Sequence, residues 1–274
     1  MGRLRQLLNG IAERMDLQDM ISMSQETADY WWNEAIYRGI KKSASIAVKN
    51  QDMARLPPGN RLNDTLISVA LELLKSENTE RRQNQVTRLG IFNTFIYKEF
   101  NLKGHDYVAK WTDSNTLSDH DLIFVPIHDF SIEHWFLAVI HFPSSLLSCT
   151  QNNPEGSSDS LPCRIFTFDS LGQHNATVHS NLKCYLKEEF KAKYGRDCNC
   201  DIVGQDVEVT RQPNAIDCGI YLLCIADTLF GNPDLLKKKK PSKINLQSAE
   251  VKGMRSKLQK LIISLSQNTP FPDS

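Results

Sequence analysis

QPNAIDCGIYLLCIADTLFG, residues 212–231, is a polar loop that turns at Cys218 into a segment apolar on every side. Ile220, Tyr221, Leu222, Leu223, Ile225, Ala226, Leu229 and Phe230 surround the axis of a helix over Cys218–Phe230. A helix apolar all round is buried in the interior of a domain. Gly231 and Pro233 stop it. Such a helix needs covering layers, and the flanking sequence supplies them. HWFLAVIHF at 134–142 is almost continuously apolar, as in a strand covered on both faces. LIFVPI at 122–127 is a shorter β-branched run, and Pro126 favours its edge or end. Arg164 to Phe168 reads as a strand ending in Asp169, and Ile202 to Val209 alternates weakly. Thr177 to Tyr194 is an amphipathic helix stopped by Gly195.

Further out, Leu66, Ile67, Ala70, Leu71 and Leu74 recur on one helical face behind Asn63 or Asp64, either of which can cap. Ile91 to Phe100 reads as helix or strand, and Ser248 to Ser264 as the last helix. The class is therefore α+β, a few central strands flanked by helices. Residues 144–162 are polar and turn-rich, an exposed loop. Met20 to Ile40 reads as a helix carrying Tyr30, Trp31 and Trp32, before the Pro57-Pro58-Gly59 break. The chain divides into an extension at 1–60 that packs on the domain or lies loose, a domain at 61–266 and a tail at 267–274.

Charge excludes some classes of partner. Lys plus Arg equals Asp plus Glu, 32 against 32, so neither nucleic acid nor a membrane surface is expected as the main partner. No apolar run is long enough to span a bilayer, and MGRLRQLLNGIAERMD at 1–16 lacks the apolar core of a secretory signal. The chain reads as intracellular. Its 7 cysteines all lie in the second half, and only Cys198 and Cys200 form a close pair. No metal site is expected.

Cys218 has the most telling setting of the cysteines. A thiol at a helix N-terminus lies in the positive end of the macrodipole, which stabilises the nucleophilic thiolate. Gly219 removes bulk where a substrate backbone would approach, and Asp217 can cap the helix, although its charge opposes the thiolate. From position alone, Cys218 reads equally as nucleophile or as a small core residue like Cys224. His134 heads the apolar strand, where an ionisable ring emerges at a sheet edge. His141 lies inside the same run as a core group, while His128, His174 and His179 fall in turns or on helix surfaces. Asp169, ending the next strand, is placed to hold the His134 tautomer. Gln212 lies six residues before Cys218, so its amide and the Cys218 N–H can converge on one carbonyl oxygen, as an oxyanion requires.

The order His134, Asp169, Gln212, Cys218, within HW, FDS and Q-x5-CG, resembles the Ulp/sentrin-specific cysteine proteases, which release SUMO and related ubiquitin-like proteins. LNDTLI at 62–67 is similar to that family's opening helix. FVPIHDFSIEHWFLAVIHFP at 124–143 resembles the branch that trims poly-SUMO chains. The resemblance implies a papain-like fold with a central mixed sheet and the nucleophile opening a buried helix. It implies a cysteine isopeptidase with Cys218 as nucleophile, His134 as general base and then acid, Asp169 as orienter and Gln212 as oxyanion donor. Trp135 would wall the tunnel for a Gly-Gly tail, Asp64 would meet a basic residue of the modifier, and no cofactor is implied. Arg61 stands where many relatives carry an aromatic wall, and its planar guanidinium can stack on the peptide instead. The modifier is SUMO, with NEDD8 or ubiquitin as alternatives in the same chemistry and a catalytically inactive modifier-binding module as the reading from another class. The family is often nuclear, and KKKKPSK at 237–243 reads as a weak import signal or a solvated turn. The expected compartment is the nucleus, otherwise the cytoplasm.

Overall fold

The computed structural model describes residues 36–38, 45–82, 87–112, 119–141, 162–198, 200–238 and 241–268. Its centre is a five-stranded mixed sheet of β3 (Leu89–Ile91), β4 (Leu122–Asp129), β5 (His134–His141), β6 (Cys163–Phe168) and β7 (Ile202–Val207), in that spatial order. The three middle strands are antiparallel neighbours, and the outer two, β3 and β7, join in parallel. Both faces are covered, which is why the middle strands read as continuous apolar runs. Register separates the runs into two cores. Phe124, Val139 and Phe166 lie side by side on one face, and Ile123, Ile140 and Ile165 on the other.

The first face packs against α2 (Asp64–Arg81), α6 (Cys218–Gly231) and α7 (Ser248–Asn268). Asn63 is the N-cap of α2, its side chain accepting the Leu66 N–H at 3.1 Å. α6 lies between α2 and the sheet, with the Phe230 ring 4.4 Å from that of Phe124. Truncating one of its buried leucines to alanine removes about 2–5 kcal/mol of stability. The second face holds α3 (Ile96–Lys103), α4 (His105–Val108) and α5 (Ala176–Tyr194), whose Phe100, Val108, Leu182 and Leu186 are buried there. Gly195 ends α5 at φ 64°, a left-handed cap that glycine adopts without a Cβ clash.

Several expectations are corrected. The apolar stretch at 91–100 is both alternatives in turn: the end of β3, a tight turn, then α3. Pro126 is central in β4, not at its end. β3 pairs only with Leu122–Phe124, so beyond that point β4 is open on the side where proline lacks its donor. Ile36–Arg38 is a strand, β1, paired antiparallel with β2 (Ser45–Ala47), so no helix runs through to Ile40. The rest of that expected helix, with Tyr30, Trp31 and Trp32, lies outside the described residues, as do nearly all of the 144–162 loop and most of the 267–274 tail. After β2 comes α1 (Asn50–Met53), and Val48, Met53 and Leu56 are buried in the first core, so residues 48–56 pack on the domain. Among the described residues no helix is long and apolar enough to cross a membrane.

Candidate active site

Three elements bring the candidate residues together. β5 begins with His134, β6 is followed at once by Asp169, and α6 begins with Cys218. His134 and Asp169 are 3% and 5% exposed, and His134 Nε2 lies 2.8 Å from Asp169 Oδ1. The same carboxylate oxygen accepts the Leu171 N–H at 2.8 Å, which pins its orientation. Cys218 is near enough for it and His134 to shift each other's protonation, and its Sγ lies 4.0 Å from Ile216 O. The three residues, distant in sequence, meet in one place.

The electrostatics are those of an ion pair. Burial pushes the His134 imidazole down, but Asp169 and Cys218 outweigh it and raise the group to about 9. Burial pushes the Cys218 thiol up, yet His134 and the backbone around Trp135 and Gly219 bring it below its ordinary value. Asp169 is likewise held below the usual carboxylate range: burial opposes this, and His134, Leu171 and Asn175 prevail. By contrast, burial pushes Cys224 up to about 12, leaving it a neutral core thiol. Position did not separate Cys218 from Cys224; their partners do.

Gln212 is anchored beside this chain. Its Oε1 accepts from Ser170 Oγ at 2.6 Å, and its Nε2 donates to Asn214 O at 2.5 Å. Because Ser170 fixes which end of the amide is the acceptor, the NH2 end is turned toward the loop that leads to Cys218. Asp217 does not cap α6. Its side chain instead takes Arg255 Nη2 and Asn214 Nδ2, each at 2.7 Å.

A cleft of about 210 Å³ approaches from the side of α2, lined by Arg61, Asp64, Phe95, His128, Phe130 and Trp135 among others. Trp135 is fixed by donating Nε1 to Leu62 O at 3.2 Å and by the His128 ring at 4.5 Å. Arg61 donates Nε to Ala215 O at 3.2 Å and pairs through Nη1 with the Glu133 carboxylate. It therefore spans from the loop carrying Cys218 to the turn carrying His134, and Cys218 is only 1% exposed. Glu133 takes φ 50°, a conformation costly for a residue with a Cβ, immediately before His134.

Gly219 is a correction. A Cβ there would meet Ile67 Cδ1 at 3.1 Å and Leu62 Cβ at 3.2 Å, so the position faces α2 and not the substrate approach. His128 is also reassigned: it lies in β4 opposite Trp135 and lines the cleft. His179 is buried under β6, its Nε2 2.9 Å from Thr167 Oγ1, rather than on a helix surface. His141 is the core group expected, 3.1 Å from Arg164, with burial pushing it down to about 2. Cys200 is disulfide-bonded. Among the described residues no group of three His, Cys, Asp or Glu is placed to hold a metal.

Residues 60–268 match the sequence model of the Ulp1 protease family, C-terminal catalytic domain. The chain belongs to the Ulp1 protease family. It is similar to the probable ubiquitin-like-specific protease 2A of Arabidopsis thaliana, 28% identical over 71% of this chain and 27% of that protein. It is also similar to the ubiquitin-like-specific protease 2 of Schizosaccharomyces pombe, 30% identical over 69% and 34%. The chain thus spans about a third or less of the length of these relatives. A solved structure described as a de-sumoylating protease shares the fold, with a TM-score of 0.68, 21% identity and coverage of 85% of this chain and 91% of that one. The mixed sheet with helices on both faces is accordingly the Ulp1-type α+β architecture expected. Arg255 and Glu133 were not singled out from the sequence, while Ser170 stood only as part of FDS and His128 only as a turn residue; the HDF and EHW contexts at the end of β4 and the start of β5 carried the signal for His128 and Glu133.

Proposed function

We propose that the chain carries a thiol isopeptidase activity that releases SUMO from its conjugates, with Cys218, His134, Asp169 and Gln212 as the catalytic set. The observation behind this reading is that His134, bonded to Asp169, and Cys218 act on each other beside a cleft walled by Trp135, with the imidazole raised to about 9 and the thiol lowered. With the imidazole raised and the thiol lowered, the pair is biased toward thiolate and imidazolium. The thiolate attacks the terminal glycine carbonyl of the modifier, and the oxyanion is met by the Cys218 N–H and the Gln212 amide. Imidazolium then gives its proton to the departing lysine amine as the C–N bond breaks, leaving a thioester on Cys218. Neutral His134 takes a proton from water, hydroxide attacks the thioester, and the modifier leaves with a free carboxylate while the ion pair is restored. His134 thus holds the proton of the thiol, gives it to the leaving amine as acid and then serves as base to water.

Trp135, flat and doubly held, would form one wall for the tail, and only glycines are thin enough to pass beside it. Asp64, at the cleft rim, would meet a basic residue of the modifier, and Arg61 would take the place of the second wall. SUMO is favoured over NEDD8 or ubiquitin by the resemblance of the 124–143 segment and by the description of the structural relative. Nuclear residence is proposed on the family resemblance, with the lysine run at 237–240 as a weak import signal. The decisive experiment is labelling with a SUMO carrying a C-terminal vinyl sulfone, in parallel with NEDD8 and ubiquitin probes. The expected result is an adduct on Cys218 with SUMO that is lost in Cys218→Ala. Binding of SUMO without an adduct would establish the inactive-module reading, and equal labelling by NEDD8 would overturn the modifier.

A further inference from the structure

α7 contributes nothing to the scheme above, yet one of its side chains reaches the active site. Arg255, 8% exposed, donates Nη1 to the carbonyls of Arg55 (3.2 Å), Leu56 (3.0 Å) and Pro57 (3.2 Å). Its Nη2 donates to Asn60 O at 2.9 Å and to Asp217 Oδ1 at 2.7 Å. A buried guanidinium is costly unless its donors are met, and both terminal nitrogens are met here. Its partners are the two segments on which the cleft depends. Residues 55–60 run directly into Arg61 and Leu62, whose carbonyl holds the Trp135 indole. Asp217 immediately precedes the nucleophile.

That carboxylate presents an electrostatic problem. An anion one residue from a thiolate opposes its formation. The groups that act on the thiol are His134 from β5, with Asp169 behind it, and the backbone at Trp135 and Gly219; Asp217 precedes it in the loop, its carboxylate held by Arg255 and Asn214. The near neighbours of Gly219 are apolar: Ile67 of α2 and Leu62 just before that helix. Arg255 is thus the cation that answers Asp217, and Asn214 occupies the other carboxylate oxygen.

We propose that Arg255 is a positioning residue of the active site, offsetting the Asp217 charge beside the nucleophile while fixing the 55–62 wall of the cleft. The proposal deepens the thiol isopeptidase reading and rests on it. The test uses the full chain and two readouts. One is the pH dependence of Cys218 alkylation by iodoacetamide, followed on the Cys218 peptide by mass spectrometry because other cysteines also react. The other is hydrolysis of a SUMO C-terminal fluorogenic amide. Arg255→Met should move the alkylation inflection up by about one unit and raise KM several-fold. Adding Asp217→Asn to it should return the inflection to the parent value without recovering KM. A role in stability alone would lower Tm and leave the inflection in place, which overturns the proposal. Failure of the double variant to restore the inflection overturns it as well. If Arg255→Met does not fold, Asp217→Asn alone decides: with the guanidinium left uncompensated the inflection should fall, and an unmoved inflection refutes the idea. A parent that alkylates with a depressed inflection but releases no SUMO refutes the substrate reading and leaves the Arg255 assignment standing.

Discussion

Replacing Asp169 by asparagine keeps the volume of the side chain and removes its charge from the imidazole it touches at 2.8 Å. His134 rises from 6.5 to about 9 in its environment, worth about 3 kcal/mol between its two protonation states. That advantage is shared between Asp169 and the Cys218 sulfur and is net of the burial that opposes it. If the carboxylate supplies half or more, the imidazolium of Asp169→Asn is lost about one to two units lower, near pH 7–8. The basic limb of kcat/KM against pH should move down by that amount. At pH 8 the thiolate–imidazolium fraction then falls several-fold, and a ring no longer held in orientation adds a further loss, for a combined drop of about 10²–10³ in kcat/KM. Stability should follow the same sign. A group raised on folding stabilises fully below its ordinary value near 6.5, and the contribution disappears as pH rises through about 9. Cys218, lowered on folding, contributes with the opposite sign over that window, so it is the Tm gap between the parent and Asp169→Asn that should narrow as pH rises through about 9. The assay is hydrolysis of the SUMO fluorogenic amide from pH 6 to 10, with thermal melts at each pH. An unmoved basic limb, with a rate loss under about tenfold, would refute the idea that Asp169 holds the proton on His134.

Ser170→Ala should free the Gln212 amide to rotate, lowering kcat up to about tenfold with KM unchanged, since the donor serves only the developing oxyanion. A rise in KM with kcat intact would place Gln212 in ground-state binding. Gly219→Ala should destabilise by about 1–3 kcal/mol in urea titrations, because the new methyl is pressed between Leu62 and Ile67; a variant as stable as the parent would show that α2 and α6 are not in close contact there. Glu133→Gln should release Arg61 from the turn before His134 and speed iodoacetamide alkylation of Cys218 about two- to fivefold, a small effect because the pair is exposed. Arg61→Ala should raise KM, and an unchanged KM would remove Arg61 from the cleft wall.

Much of the architecture was legible from pattern because each layer has its own period. The buried helix at Cys218–Gly231, the amphipathic helix ended by Gly195 and the continuous strands at 122–129 and 134–141 all follow from where apolar side chains recur. Other features depended on partners that no local window contains. Pro126 is tolerated mid-strand because its neighbour β3 stops at Ile91, a length that is a property of the pairing. Gly219 was assigned to the substrate because it adjoins the nucleophile. In a helix, however, adjacent residues point about 100° apart, and with Cys218 turned to His134, Gly219 meets α2.

Residue types and their order along the chain were sufficient to nominate Cys218, His134, Asp169 and Gln212, because acyl transfer by a thiol needs a nucleophile, a titratable ring, an anchor for the ring and a second oxyanion donor. Charge depends on surroundings, and those are assembled only in three dimensions. Folding raises the His134 imidazole to about 9, lowers the Cys218 thiol, draws an arginine from the last helix to the residue before the nucleophile and sets another arginine across the approach. Covalent order names the groups; the packing of β5, β6 and α6 against one another decides where the proton rests.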